Sequence, residues 1–92
     1  MTIKPSLACL LLWLVALPAQ AALIVFACEP EWADLVKAFA PEADITIATT
    51  AAQDPHYVEA RPSLIAAMRR ADLAVCTGAS LEAGWLPALV RK

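Results

Sequence analysis

Asp54-Pro55-His56 is the segment of this sequence best suited to chemistry. His56 is the single histidine in the chain. A neutral imidazole offers a lone pair that binds Zn2+ at about 2.0–2.1 Å while its other nitrogen is held by an acceptor. Pro55 restricts Asp54 to extended conformations, so the approach to the ring is stiff and less entropy is lost when the ring is used. Asp54 suits the turn itself, with orientation of His56 as its other role. By spacing alone, the competing reading of His56 is a solvent-exposed or hydrogen-bonded loop residue.

Cys28 and Cys76 are the other reactive pair. Neither belongs to a CxxC motif, which removes most of the case for thioredoxin-type redox chemistry. Two alternatives stand: a disulfide, or two buried thiols acting as small hydrophobes. A third arrangement, both thiolates with His56 around one metal, requires the loop to fold back over the cysteines.

Composition narrows the partners. Seven Lys and Arg against nine Asp and Glu give a net charge of -2 over 92 residues. Only Arg69-Arg70 and the final Arg91-Lys92 are adjacent basic pairs, so no stripe exists to hold a nucleic-acid backbone. Two glycines, Gly78 and Gly84, make neither a GxGxxG nor a P-loop, which disfavours a nucleotide. One domain at most fits this length.

The first residues read as an address. Lys4 precedes an uncharged apolar run over residues 7–17, then Pro18 and Ala19-Gln20-Ala21, the three-part layout of a secretory signal peptide. The run is shorter than the roughly 20 residues a membrane span needs. Cleavage is expected after Ala21, and the apolar run follows Cys9 rather than preceding it, which excludes lipid attachment there. The mature chain is then residues 22–92, placed where disulfides persist. Of the 71 residues from 22 to 92, 41 are hydrophobic. A chain this small buries only about 60% of its unfolded surface. We therefore expect a truncated chain, or one lobe covered by the rest of its protein.

Strands and helices alternate along residues 22–92. Residues 23–28 form a continuous apolar run, the pattern of a strand covered on both faces. Pro30 opens a helix whose Trp32, Leu35, Val36 and Phe39 share one face, expected to pack on the sheet. Glu29 and Glu31 lie near its positive end, and Pro41 stops it. Residues 44–49 alternate β-branched side chains and read as a second strand. Residues 50–61 are a polar, proline-interrupted connection. Pro62 opens a second helix to about residue 71, with Leu64, Ile65 and Met68 inward and Arg69 and Arg70 outward. Residues 73–76 are a third strand. Leu81, Trp85 and Leu89 repeat as a third helical stripe, interrupted by Pro87. This order implies an α/β fold with a parallel sheet and helices on its faces. Ligands of such sheets bind at the carboxyl ends of the strands. Cys28, residues 49–61 with His56, and residues 76–80 all belong to that edge.

Several blocks carry a resemblance. Asp54-Pro55-His56-Tyr57-Val58-Glu59-Ala60-Arg61-Pro62-Ser63, Ala71-Asp72-Leu73-Ala74-Val75, Gly78, and Leu81-Glu82-Ala83-Gly84-Trp85-Leu86 follow in order behind an export signal. With residues 25–35, they resemble the metal-specific solute-binding proteins of zinc and manganese ABC importers, the ZnuA/TroA-like family (cluster A-I). The resemblance spans nearly all of residues 22–92. It implies two α/β lobes joined by a long helix, with one Zn2+ or Mn2+ in the cleft between them, delivered to a membrane permease. On this reading the chain is an incomplete N-terminal lobe, with sheet order 2-1-3 and helices on both faces. His56 matches the family's first histidine ligand, and the remaining ligands fall beyond Lys92. Order 2-1-3 makes the strands ending in Cys28 and Cys76 neighbours, within reach of a disulfide.

The expected function is periplasmic capture of Zn2+, or Mn2+, for a permease, with no bond in a substrate broken. The alternatives are an exported thiol/disulfide protein using Cys28 and Cys76, or an inactive fragment. Elsewhere the expectations are structural. Tyr57 and Arg61 brace the loop or face solvent, Glu59 is a surface carboxylate, Asp72 ends the second helix, and Trp32 and Trp85 pack in the core.

Overall fold

The structure, a computed structural model, describes residues 21–91. The expected export signal therefore lies outside the described residues, apart from Ala21. The first strand, β1 (Ile24–Ala27), is the apolar run, and Val25, Phe26 and Ala27 are each at most 1% exposed. Such burial on both faces requires neighbours on either side. β2 (Asp44–Ile47) and β3 (Leu73–Val75) supply them, both parallel to β1, in the order β2-β1-β3. Phe26 lies opposite Thr46 in β2 and Ala74 in β3. Asp72 closes the start of β3 against β1. Its amide donates to the Ile24 carbonyl at 2.8 Å, and its carboxylate accepts from the Ile24 amide at 3.0 Å.

The helices follow from the prolines. Helix α1 (Pro30–Phe39) has Pro in its first turn, where the missing N–H removes no helical bond, with Glu31 in the first turn and Lys37 in the last. Helix α2 (Pro62–Arg70) starts the same way and ends on Arg69 and Arg70, which favour the negative end of the helix dipole. A short helix, α3 (Leu86–Val90), packs on α2. Phe26 and Cys28 join Ala48, Val58, Leu64, Ala67, Trp85 and Leu89 in one buried cluster. The strand period of two turns Val25 and Ala27 to the other face, where α1 presents its buried Ala33. Burying Trp85, Phe26 and Leu89 stabilises the fold by roughly 1.5–3 kcal/mol each.

Two expectations are corrected. The stripe on α1 does not pack as a whole: Leu35 is 47% exposed and Phe39 83%, while Trp32 and Val36 are half-buried. Helical periodicity settles which residues share a face, but not how much surface opposes it. Three strands of three or four residues are too narrow to cover that stripe. The third stripe is not one helix either. Residues 76–85 run in turns and loop, and the helix begins at Leu86. Pro87 stands in its first turn, the one place where its missing amide is harmless. Trp85 and Leu89 are buried as expected, with Leu81 half-buried.

Candidate metal centre

Every strand delivers its chemistry to the carboxyl edge. At the ends of β1 and β3, Cys28 and Cys76 are joined by a disulfide, with Cα atoms 4.8 Å apart. Around it stand two carboxylates, Glu29 at 3% exposure and Glu82 at 2%. Both accept from the same amide: the Thr77 N–H lies 2.9 Å from Glu82 Oε1 and 3.1 Å from Glu29 Oε1. Glu82 Oε2 accepts from the Gly78 amide at 3.0 Å. The Thr77 hydroxyl donates to Glu29 Oε1 at 2.6 Å and accepts from Trp32 Nε1 at 2.9 Å. This relay explains why Trp32 sits beside the strand ends instead of deep in the core.

Glu82 reaches that position because the chain reverses sharply after β3. Gly78, Ala79 and Ser80 all take left-handed φ values of 81°, 53° and 69°. Ala79 and Ser80 carry a Cβ there, a cost of about 1–2 kcal/mol each. The hydrogen bonds from Thr77 and Gly78 to Glu82 offset that cost. Burial pushes the Glu29 carboxyl above the usual carboxylate range. The Thr77 hydroxyl opposes this shift and the neighbouring Glu82 carboxylate adds to it. Glu29 Oε2 is buried with no hydrogen-bond partner.

The His56 loop is built differently. It leaves β2 through Thr49, whose hydroxyl donates to the Cys28 carbonyl at 2.8 Å. Asp54 Oδ1 accepts from the His56 amide at 3.0 Å, closing the turn, and lies 2.7 Å from His56 Nδ1. Asp54 therefore performs both of the roles open to it. The His56 amide, and after it the imidazole, hold the Asp54 carboxyl below the usual range. An ionised carboxylate only accepts, so Nδ1 must carry the hydrogen and the lone pair of the neutral ring falls on Nε2. The His56 side chain is 56% exposed, and Nε2 makes no hydrogen bond among the described residues.

Two residues outside the loop hold it. Trp85, buried to 1%, donates from Nε1 to the Pro55 carbonyl at 2.7 Å. Gly84 lies beneath: a Cβ there would come within 3.2 Å of the His56 carbonyl oxygen, closer than side chains usually sit. The Gly-Trp pair thus fixes the backbone on which the ring stands.

The profile of a family described as "ZnuA: Zinc-uptake complex component A periplasmic" matches residues 25–92. The chain belongs to the ZnuA family. No curated protein matches it. The fold is the α/β arrangement, with a parallel 2-1-3 sheet, that the resemblance implies for a ZnuA-family first lobe.

The structure brings Cys28 and Cys76 together and leaves His56 apart from them. In place of His56, Glu82 lies beside the sulfurs, its carboxylate and the two Sγ atoms all within 4.8 Å of one another. Sequence reasoning missed Glu29 and Glu82 as buried groups. Glu29 read as a helix-dipole residue, and nothing in the spacing of Glu82 showed that a left-handed reversal would turn it inward. Glu59 is exposed, as expected of a surface carboxylate, and so are Tyr57 and Arg61.

Proposed function

We propose that this chain acts in periplasmic zinc uptake, with His56 Nε2 as one ligand of a Zn2+ site completed by donors outside residues 22–92. The observation that carries this reading is the Asp54–His56 pair. Asp54 accepts at Nδ1, which directs the lone pair outward on Nε2 from an exposed ring on a braced loop. Metal-ligating histidines are oriented in this way, with a carboxylate on the nitrogen opposite the metal. The protein captures the ion by ligand exchange and hands it to an ABC-importer permease, and no covalent bond is made or broken. Zn2+ is favoured over Mn2+ by an imidazole donor, since carboxylate and water ligands suit manganese. Export through a cleaved leader over residues 1–21 places the chain where that uptake occurs.

The thiol-protein reading draws less support. Cys28 is completely buried, which leaves only the half-buried Cys76 to be reached by a partner thiol.

The test is a Zn2+ titration of the oxidised protein in full-length form, with the remaining donors present, followed by imidazole nitrogen NMR. Nε2 of His56 should shift on binding while Nδ1 keeps its proton, and His56→Ala should abolish the binding. Metal on Nδ1, or binding unchanged in His56→Ala, would overturn the reading.

A further inference from the structure

We infer that the dithiol form of this chain holds a thiophilic divalent cation at the ends of β1 and β3, bound by Cys28 Sγ, Cys76 Sγ and the Glu82 carboxylate. This site is separate from His56 and does not rest on its role. The three donor groups already lie within 4.8 Å of one another while the sulfurs are bonded together. A second, independent observation points the same way. Glu29 Oε2 is buried without a partner, on a carboxylate that shares the Thr77 amide with Glu82. A buried carboxylate oxygen left unpaired next to the Glu82 carboxylate marks this strand edge as short of positive partners.

The donor chemistry selects the ion. Two thiolates are soft ligands that favour Zn2+, or Cd2+ and Co2+ as its probes, over Mg2+ or Ca2+. Two thiolates and Glu82 bring three negative charges into a buried site, and a dication offsets most of that charge. In the disulfide form the sulfurs carry no thiolate charge, so bond and ion exclude each other. Glu82 also borders a surface cavity of about 360 Å3 with Gly78, Ser80, Leu86 and Val90.

The exchange between the two forms balances with a dithiol as reductant. A thiolate of the dithiol attacks Cys76 Sγ, the half-buried sulfur, and Cys28 leaves as thiolate. The second thiol of the reductant then attacks the mixed disulfide and releases Cys76, so that two electrons pass to the chain and the reductant becomes its own disulfide. Binding of the dication then displaces the thiol protons.

The experiment compares the full chain, carrying Cys9→Ser so that only Cys28 and Cys76 can titrate, in two states: oxidised, and reduced with a dithiol that is then removed without oxygen. Each is titrated with Co2+. The reduced chain should show a thiolate-to-cobalt charge-transfer band in the near ultraviolet and the oxidised chain none. Glu82→Gln should weaken the reduced-state affinity by about tenfold or more, and His56→Ala should leave the band unchanged. Cadmium NMR of the same reduced chain, which depends on neither of those variants folding, should report two sulfur ligands. The proposal is overturned if a chain with two titratable thiols shows no band, if cadmium reports fewer than two sulfurs, or if Glu82→Gln binds as tightly as wild type. Loss of the band in His56→Ala would likewise overturn it, by making the two sites one.

Discussion

Two regions at the same sheet edge use polar residues in opposite ways. The cluster around the Cys28–Cys76 disulfide is closed, with Glu29 and Glu82 almost completely buried and converging on one amide of β3's following turn. The His56 loop is open. Both partners of its Asp54–His56 hydrogen bond are more than half exposed, and the loop is tied to the core beside them, at the Pro55 carbonyl, at Gly84 and through the buried Val58. A ligand that must exchange a metal has to keep one nitrogen free while everything behind it is held still. The closed region provides the stiffness and the open one the free donor. Trp85 connects them, since it sits in the same buried cluster as Cys28 and reaches the loop by its indole N–H.

That division is broken most severely at Trp85. Trp85→Ala should lower unfolding free energy by about 3–5 kcal/mol in a denaturant titration, and it should also loosen the loop. If amide exchange around His56 stays as slow as in wild type, the loop is braced by something else. Next comes the disulfide. Replacing Cys28 and Cys76 together by Ser should cost about 2–5 kcal/mol, read from the same denaturation midpoint, and an unmoved midpoint would remove the disulfide from the scaffold.

Asp54→Ala addresses the open region. With the acceptor at Nδ1 gone, Zn2+ affinity should fall by about 10–100-fold. Equal affinity would show that the tautomer is set elsewhere.

The buried carboxylate provides a test by pH. Glu29 in the folded chain takes up its proton at higher pH than in the unfolded chain. Between the usual carboxylate range and its elevated value the native state therefore binds more protons, and stability falls as pH rises through that window. Glu29→Gln should flatten this slope while keeping an oxygen to accept from the Thr77 hydroxyl. A slope that survives the substitution assigns the titration to another group. The smallest effect is on His56 itself: His56→Ala should change stability by no more than about 0.5 kcal/mol, even though on the proposed function it should abolish zinc binding. A larger loss would mean the ring is part of the scaffold.

Much of this was legible without coordinates. The apolar run of β1, the prolines that open α1 and α2, and the polar stretch between Thr49 and Pro62 all state local preferences that any tertiary context must respect. From their order alone came the parallel sheet and the gathering of Cys28, Cys76 and the loop leaving β2 at its carboxyl edge. The exposed stripe on α1 was not legible, because a helix face carries no record of how wide a sheet it meets. Nor was the end of the chain, where one stripe of Leu81, Trp85 and Leu89 is shared between a turn and a five-residue helix.

By itself the sequence determined that a single imidazole stands after Asp54-Pro55 in the connection leaving β2, because residue type and proline stereochemistry are local properties. Only the tertiary structure decided that Trp85 and Gly84 hold that loop, that Cys28 meets Cys76, and that Glu82 rather than His56 turns toward the sulfurs. Those contacts join residues between 28 and 54 positions apart, or depend on three left-handed residues in succession. Contacts of that kind are set by sheet order and backbone direction, which no local pattern encodes.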